Sequence, residues 1–478
     1  MRNDPIPLTR VSQAVEVKAP DYVALSDRIW GMPELRFQEH RSAEEQIAQM
    51  EAEGFRITRA VAGIPTAFVA EAGEDGPLIA FLGEFDALAG LSQDAGVAEP
   101  RTATPGANGH GCGHNLLGAG AMLAAVAARD ALRAAGRPGR IRYYGCPAEE
   151  GGSGKTFMAR AGAFDGVDAA FCWHPGSVNG VMSARSLANY QVYFRFRGRA
   201  SHAAGSPHLG RSALDAVELM NVGVNYLREH VPQESRLHYA ITDSGGMSPN
   251  VVQARAEVLY LIRSPRVSEA RVLLDRVRAC AEGAAIMTGT TWEMEIDKAC
   301  SETLPNTALE TAMHRNLLEI GPPPYEPADR DFAKAIRASL TEEDIASGVA
   351  SYGADPAIGA MPLHDGIVPF DGTSIAQYGS TDVGDVSQIV PTAQLWGGCW
   401  AVGTPFHTWQ AVAQGKSGAA HKGMVLAAKA MAATALDALA DPDLLDRAKE
   451  ELARRHGGKP YVNPIPDEVV PPPLRARA

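Results

Sequence analysis

The fold of this chain follows from a short apolar segment that runs directly into two acids, Ile141-Arg142-Tyr143-Tyr144-Gly145-Cys146-Pro147-Ala148-Glu149-Glu150. Residues 141–146 are typical of a buried strand, and Pro147 begins the turn that carries the acids. Adjacent carboxylates at the end of a buried strand repel each other and lose hydration, so a cation or a proton must offset that cost. An isolated Glu-Glu pair is more often a solvated acidic turn, and the surrounding segments decide between the two interpretations.

Two more apolar segments end at polar groups in the same way. Residues 78–83 are predicted to form a strand that runs into Glu84-Phe85-Asp86, and residues 168–173 form one that ends at His174. A glycine-rich loop over 100–113 and a helix over 115–135 occupy the interval before residue 141. Alternating strands and helices favour an α/β fold with a mainly parallel sheet, in which ligands bind at the carboxyl ends of the strands.

The pattern changes near Asn189, where a second unit begins. The order of its predicted elements is strand, helix, strand, strand, helix, strand, over 191–197, 210–229, 237–242, 256–262, 267–285 and 291–296. This is the order of a ferredoxin-like α+β unit, and because the candidate ligand His407 comes only after it, the unit interrupts the first domain. We therefore predict a catalytic domain in two parts, 1–188 and 301–478, with an inserted domain over 189–300. Residues 321–373 are expected to be loop-rich, and the proline-rich tail beyond Gly457 is expected to be an extended surface segment.

Composition places the chain among globular proteins. Its 478 residues are 45% hydrophobic, with a net charge of −12 and a pI near 5.6, which argues against a nucleic-acid partner. Residues 1–10 lack a cationic start followed by an apolar stretch, and residues 116–127 are too short an apolar run to cross a bilayer. The sequence therefore predicts a cytoplasmic protein that does not insert into a membrane.

The segment His110-Gly111-Cys112-Gly113-His114 has the residues of a metal-ligand loop. Glycine on both sides of Cys112 allows backbone and side chains to converge, and thiolate and imidazole bind soft and borderline divalent metals. A glycine turn with one buried thiol and two surface histidines is an alternative. A structural zinc site is another, although such sites usually show two paired-ligand knuckles. The other cysteines are expected to be buried thiols: Cys146, Cys172, Cys280, Cys300 and Cys399.

The other candidate ligands complete a site for two metals. A carboxylate can bridge two ions, so Glu150 is given that role, and the neighbouring Glu149 is left to activate water. A single histidine such as His174 or His407 is more often structural than a metal ligand. Here both support a metal site because they accompany the other candidate ligands. A phosphate-binding loop over 151–156 is rejected because the Walker spacing is absent. The predicted ligands are Cys112, His114, Glu150, His174 and His407.

Taken in order, the motifs resemble those of the aminoacylase and metallocarboxypeptidase amidohydrolases, the M-twenty peptidase clan. The similar motifs are Cys-Gly-His-Asn at 112–115, Pro-Ala-Glu-Glu-Gly-Gly at 147–152, Trp-His-Pro at 173–175, Gly-Arg-Ala-Ser-His-Ala-Ala at 198–204 and the late His407. Three more, at 84–88, 381–387 and 421–424, are similar to the branch that contains the B-type subunit of p-aminobenzoyl-glutamate hydrolase. Over residues 22–439 the resemblance implies a catalytic domain of zinc-peptidase type, interrupted by a smaller ferredoxin-like domain that serves as lid and dimerisation domain.

The resemblance also implies how the site works. A pair of Mn²⁺ or Zn²⁺ ions would be held by the five predicted ligands, with Glu149 as general base and acid. The chain would form a homodimer through the inserted domain, or assemble with a homologous second subunit. His202 would reach the partner's site and polarise the scissile carbonyl, while Asn250 and Arg263 would contact the carbonyl and the carboxylate of the substrate. Without the resemblance, His202 is a strand-end surface residue and Arg263 a solvated strand residue.

Two positions depart from the family pattern. Glu84 stands where many relatives have histidine, and Asn115 stands where many have aspartate, so the roles of Glu84, Asp86 and Asn115 stay open.

The expected reaction is hydrolysis of the amide bond of a small N-acyl amino acid. The acyl group is expected to be aromatic, as in p-aminobenzoyl-glutamate. A dipeptidase, an N-acyl-amino-acid deacylase or an aryl-amine hydrolase could use the same site. An alternative of another class is a catalytically silent metal- or peptide-binding protein, which the presence of Glu149 disfavours.

Overall fold

The computed structural model of the protein describes residues 4–471. Within these residues thirteen strands form three sheets, and fourteen α-helices surround them. The strands are β1 Arg56–Arg59, β2 Phe68–Ala72, β3 Leu78–Glu84, β4 Arg140–Cys146, β5 Ala169–Gly176, β6 Gly180–Val181, β7 Ala184–Arg185, β8 Ala188–Arg197, β9 Arg236–Asp243, β10 Arg255–Ser264, β11 Thr291–Cys300, β12 Ile375–Ala376 and β13 Thr392–Gly398. The helices are α1 Leu8–Trp30, α2 His40–Ala52, α3 His114–Ala135, α4 Glu149–Gly152, α5 Gly154–Arg160, α6 Ala213–Leu227, α7 Val267–Thr288, α8 Thr307–Ile320, α9 Pro327–Arg337, α10 Glu342–Ser351, α11 Val383–Ser387, α12 Trp409–Gln414, α13 Gly418–Ala440 and α14 Pro442–His456.

The large sheet has the strand order β1-β2-β4-β3-β5-β13-β6. Its four inner strands, β4, β3, β5 and β13, are parallel, and the outer pairings are antiparallel. All residues of β3 and of β13 are buried, as expected for strands covered by helices on both faces. The predicted mainly parallel α/β sheet is confirmed, and the carboxyl ends of its parallel strands meet along one rim.

Two long helices, α3 and α13, lie in the core beside this sheet. Both are long and apolar enough to cross a membrane by length and composition, but 94% and 78% of their apolar windows are buried inside the protein. Small residues bring the layers close together, since a Cβ at Gly120 would lie 2.9 Å from the ring of Trp173 and 3.0 Å from Met424. The alanine and glycine content of α3 therefore serves tight packing of the helix on the sheet.

The second sheet has the order β11-β8-β10-β9 and is antiparallel throughout. In chain order its strands are arranged fourth, first, third, second, and its connections contain α6 and α7. This confirms the ferredoxin-like unit. Its first strand begins at Ala188 and its last ends at Cys300.

Two segments that were predicted to be irregular contain short helices. Residues 321–373 contain helices α9 and α10, each of which begins with a capping box in which a side chain and a backbone amide bond reciprocally. The prolines and glycines that suggested a loop lie mostly outside these helices. The turn that begins at Pro147 contains the single helical turn α4, and α5 begins at Gly154.

The segment after α14 packs on the protein more closely than a surface tail. Ile465 is buried, and the hydroxyl of Tyr461 donates to Asp385 at 2.8 Å. The side chain of Asn463 donates to the carbonyl of Thr156 in α5. The described tail has no helix or strand and most of it is exposed or half-exposed, as expected of a surface segment, but residues 461–465 are anchored to the domain. Pro472 and Pro473 lie outside the described residues.

Candidate active site

The candidate ligands reach one rim of the large sheet from separate parts of the chain. His114 is the first residue of α3, and Gly113 before it has a φ of 73°, where a Cβ would lie 2.9 Å from Trp400 and 3.0 Å from Pro175. Glycine is needed there because an L side chain would be strained and would clash. The backbone N–H of His407 donates to the carbonyl of Gly111 at 2.9 Å, which holds the late histidine against this loop.

The structure brings the five predicted ligands together. The Cys112 sulfur lies 3.5 Å from His174 Nε2, and His407 Nε2 lies 3.3 Å from Glu150 Oε2. His114 Nε2 lies 4.0 Å from Glu150 Oε1. Three overlapping groups of potential ligand atoms result: Cys112, His114 and His174; Cys112, Glu150 and His407; and Glu84, His114 and Glu149.

Two of the histidines are oriented by an oxygen acceptor at Nδ1, which leaves Nε2 on the side of the cluster. His174 Nδ1 lies 2.8 Å from the carbonyl of Pro175, so Nδ1 is the protonated nitrogen and Nε2 carries the lone pair. His114 Nδ1 lies 2.9 Å from Asp86 Oδ1, which fixes that ring in the same way. Carboxylate and carbonyl acceptors of this kind orient the metal-binding histidines of many enzymes. His174 Nε2 therefore faces the cluster as an acceptor. His114 Nε2 also faces the cluster, but burial of that ring is outweighed by hydrogen bonding to Asp86 and Cys112 and by the charge of Glu84, which raise the pKa of His114 well above its usual value, so this ring must lose a proton to bind a cation.

The polar atoms of the cluster fit a divalent cation. Within the described chain, His114 Nε2 and Glu150 Oε1 are buried without a hydrogen-bond partner. Burial, and next the charge of Glu150, raise the pKa of the Cys112 thiol well above its usual value, so its thiolate needs a nearby cation to form. Burial and the charge of His114 lower the pKa of His174 to about 3, which keeps its imidazole neutral. Deprotonated sulfur, neutral imidazole and carboxylate are the donor set of a zinc or manganese site.

The two adjacent acids differ in their surroundings. Burial, followed by the charges of Glu84 and Glu150, raises the pKa of Glu149 well above its usual value. Burial also opposes ionisation of Glu150, but hydrogen bonding from His407 and the charge of His114 outweigh it and lower that pKa to about 2. Neighbouring carboxyls whose pKa values are pushed apart can divide the tasks of proton transfer and charge stabilisation.

The backbone around these acids is held in rare conformations. Ala148 and Ser153, on either side of the short helix that carries the acids, have φ values of 62° and 53°, and His407 has a φ of 59°. Each such position costs on the order of 1–3 kcal/mol for a residue other than glycine. Strain of this kind gathers at functional sites, and it fixes the directions in which the acids and the late histidine project.

A buried lysine at the site was missed from the sequence. Lys155 is fully buried, and its Nζ lies 2.6 Å from Glu84 Oε1 and 2.7 Å from Asp382 Oδ1. The other oxygen of Glu84 lies 3.2 Å from His114 Nε2. The family motifs around 84 and 381 contain both acids, and a lysine close to the apolar residues 157–159 could have indicated their partner. Rejection of the phosphate loop left Lys155 without a role.

Asp86 and Asn115, whose roles were open, have different functions. Asp86 accepts from His114 through Oδ1 and from the backbone N–H of Glu150 through Oδ2, at 2.9 Å each. Asn115 points elsewhere, and its amide donates to Ser26 Oγ and to the carbonyl of Gly415, both at 3.0 Å. Asp86 therefore orients two ligand segments, and Asn115 ties α3 to its neighbours.

A cavity of about 310 Å³ opens over the cluster. Glu149 lies in its wall on the ligand side, and Arg263 lies in its wall on the side of the second sheet. Arg263 Nη1 donates to Ser380 Oγ at 2.7 Å. Trp396 and Phe406 also line the cavity, with ring centroids 6.1 Å apart, and each ring lies 5.5 Å from that of His174.

Comparison with known proteins places this site in a family. The model of the family described as Peptidase family M20/M25/M40 matches residues 80–368. The chain belongs to the M20 peptidase family. It is therefore a hydrolase that acts on amide bonds, and the non-catalytic alternative is set aside.

Sequence alignments with named relatives extend over almost the whole of this chain. It is 51% identical over 474 residues to the B-type subunit of Escherichia coli p-aminobenzoyl-glutamate hydrolase, with 97% of this chain and 98% of that protein aligned. It is 31% identical to mouse Xaa-Arg dipeptidase, with 93% of this chain and 91% of that protein aligned. A solved Bacillus subtilis structure, described as a dinuclear metal binding peptidase of the M20 family, has a TM-score of 0.55 at 18% identity. It aligns with 89% of this chain and 99% of its own, and at that identity it shows the shared fold alone.

Two residues predicted from the M20 resemblance lie away from the cavity of their own chain. His202 and Asn250 are exposed on neighbouring loops of the second sheet, joined by the bond from the Ala203 N–H to the carbonyl of Asn250. His202 Nδ1 accepts from the backbone N–H groups of Ala204 and Gly205, which leaves Nε2 free to point outward. Their contact with substrate through a second subunit stays a prediction.

Proposed function

We propose that the protein hydrolyses the amide bond between an aromatic acyl group and glutamate, with p-aminobenzoyl-glutamate as the test substrate. The observation that carries this proposal is the single cavity that joins Glu149 and the ligand cluster to Arg263. Trp396 and Phe406 offer aromatic walls for the acyl ring. A carboxylate on Arg263 would leave the amide carbonyl within reach of Glu149. The identity with a relative named for this substrate supports the same choice.

The site is proposed to hold two divalent metals, either Zn²⁺ or Mn²⁺. Cys112, His114, Glu150, His174 and His407 would be the ligands, with Glu150 shared between the ions. When bound, such a pair supplies a nucleophile at neutral pH and polarises the carbonyl. The thiolate favours zinc, whereas the carboxylate and imidazoles suit manganese as well.

In this mechanism the chain's own side chains position the substrate and move one proton. Glu149 accepts the proton of the attacking water and then gives it to the nitrogen of the leaving amine. Arg263 holds the carboxylate of the leaving amino acid in place. His202 and Asn250 of a second copy of the chain are proposed to donate to the oxyanion.

A second subunit is proposed from the surface of the inserted unit. Strand β9 is an edge strand, and Tyr239 and Ile241 on it are 38% and 45% exposed. On α6, the exposed residues Val222 and Tyr226 lie one turn apart on one face. An edge strand with apolar side chains favours pairing with another chain. We propose a homodimer, with a homologous partner chain as the alternative, because the Escherichia coli relative is named as one subunit of its enzyme.

A cytoplasmic location is proposed as well. All six cysteines are unpaired in the structure, as in proteins kept in a reducing compartment. Fractionation of cells that make the protein at its natural level tests this, and recovery outside the cytoplasm would contradict it.

The reaction is tested with a panel of amides on purified protein whose bound metals have been measured. We expect release of p-aminobenzoate from p-aminobenzoyl-glutamate at a higher kcat/KM than hydrolysis of N-acetyl-glutamate or of dipeptides that end in arginine. Preference for an Xaa-Arg dipeptide would replace the proposal with a dipeptidase.

Light scattering of wild type and of Ile241→Asp tests the dimer, and we expect the variant to be a monomer with reduced activity.

A further inference from the structure

One face of the second sheet is turned toward the cavity and carries two cations. Arg263 on β10 is paired in register with Asn189 on β8, and Lys298 on β11 is paired with Gln191, two residues further along β8. Residues directly opposite one another, and those two apart on one strand, project from the same face. Arg263, Asn189 and Lys298 all line the cavity. The sheet therefore presents the two cations to the same space.

An irregularity in β11 places the lysine on this face. The register shifts between Ile296 and Lys298, so Asp297 is an extra residue opposite β8. Without the shift, Lys298 would be opposite Tyr190 and would project from the opposite face, because a slip of one residue reverses a strand. The carboxylate of Asp297 already accepts hydrogen bonds from two other side chains, from Arg36 at 2.8 Å and from Gln191 at 2.6 Å.

Neither cation lies within ion-pair distance of a carboxylate in the described part of the chain, although the charge of Glu149 acts on Arg263 across the cavity. Arg263 donates instead to the neutral hydroxyl of Ser380. Lys298 is only 8% exposed as a whole residue, and its side chain lies in the wall of the cavity. It acts on the buried thiol of Cys300, where it opposes the rise in pKa caused by burial.

An unpartnered acceptor lies between the two cations. Asn189 is 2% exposed, and its Oδ1 has no hydrogen-bond partner. A buried amide oxygen without a donor is costly unless a bound molecule supplies one. The N–H of a substrate amide is such a donor.

We propose that Lys298 determines the specificity for the amino-acid half of the substrate by binding a second carboxylate, while Arg263 binds the first. The inference rests on the proposed amidase function and assigns the residue that selects the side-chain carboxylate of the glutamate half. Two carboxylates neutralise the two cations, whereas the cationic side chain of an arginine amide would meet repulsion from Lys298.

The test measures binding in the full-length Glu149→Gln protein loaded with metal, so that no substrate is consumed. Calorimetry compares p-aminobenzoyl-glutamate with p-aminobenzoyl-glutamine, which has the same shape but one carboxylate fewer. We expect the diacid to bind about 10- to 100-fold more tightly, as for a charge-assisted hydrogen bond in a buried site. Adding Lys298→Met should abolish that difference, Lys298→Arg should restore most of it, and the surface variant Lys459→Met should leave it unchanged.

The outcomes separate this inference from the proposed function. Equal affinity for the two compounds, or a Lys298→Met variant that weakens both equally, would overturn the role of Lys298 even if both are hydrolysed by protein that retains Glu149. Discrimination between them without hydrolysis of any N-acyl amino acid would support the role of Lys298 and remove the proposed reaction. If Lys298→Met fails to fold, the same comparison is made with Lys298→Gln.

Discussion

Replacing Lys155 with methionine should lower the free energy of unfolding more than removing a charged side chain from the surface does. The lysine ammonium is fully buried between Glu84 and Asp382, whose side chains are 3% and 0% exposed. Removing one partner of a buried pair leaves an uncompensated charge and costs about 3–5 kcal/mol. The unfolding entropy of a chain of this length is about 1 kcal/mol per kelvin, so the melting temperature should fall by about 4 °C.

Calorimetric melting compares three further variants with Lys155→Met. Lys429→Met is the matched control, because that lysine also lies 2.6 Å from a carboxylate, but its partner Glu16 is 61% exposed. Its loss should cost less than about 1 kcal/mol. Lys155→Met with Asp382→Asn removes one of the two stranded charges, so it should recover part of the loss. The amide oxygen of the new asparagine can still accept from the backbone N–H of Lys155, which bonds Asp382 at 2.8 Å.

The magnitude depends on both acids being ionised in the folded protein. If Lys155→Met melts within a degree of the Lys429→Met control, the acids are protonated or solvated and the electrostatic account is wrong. If the double variant melts lower than Lys155→Met alone, the aspartate stabilises the fold through hydrogen bonds and not as a counter-ion.

Three other outcomes follow from the site and its surroundings. Glu149→Gln should retain its metals in elemental analysis but lose about 10³-fold in kcat, and a variant with near-normal turnover would exclude Glu149 as the base. Cys112→Ser should bind zinc more weakly than wild type in competition with a chelator, with a smaller change for manganese, and equal losses for both metals would contradict thiolate ligation. Burial raises the pKa of Glu310 from 4.5 to about 8, so the folded protein keeps a proton that the unfolded chain releases, and stability falls as pH rises between these values. Glu310→Gln should therefore melt higher than wild type near pH 8 and alike near pH 4.5, and a difference independent of pH would refute this.

The position of the site at the carboxyl-end rim of the large sheet was predictable, because each strand and the ligand that follows it are neighbours in the sequence. Short apolar segments ended at Glu84, at Glu149 with Glu150, and at His174, and parallel strands put such ends on one edge. Glycine beside Cys112 was an equally local signal, since Gly113 has a φ that favours glycine.

Long-range pairing was not predictable in this way. Lys155 and Asp382 are more than two hundred residues apart, and only the fold brings them within 2.7 Å. The register shift in β11 turns Lys298 toward the cavity and depends on how β11 pairs with β8. The alternation of polar and apolar residues along β11 alone does not predict that shift. Helices α9 and α10 were missed because proline and glycine near their ends were given more weight than the capping residues inside them.

Asp86 limits how the arrangement of the candidate metal ligands can be altered by mutation. Its two oxygens serve different ligand segments, one through the ring of His114 and the other through the amide of Glu150. A longer or shorter side chain at this position would displace an imidazole and a carboxylate in one step, so neither can be retuned alone. His407, which is 52% exposed, gives evolution or a protein engineer a freer starting point for altering the chemistry of this enzyme.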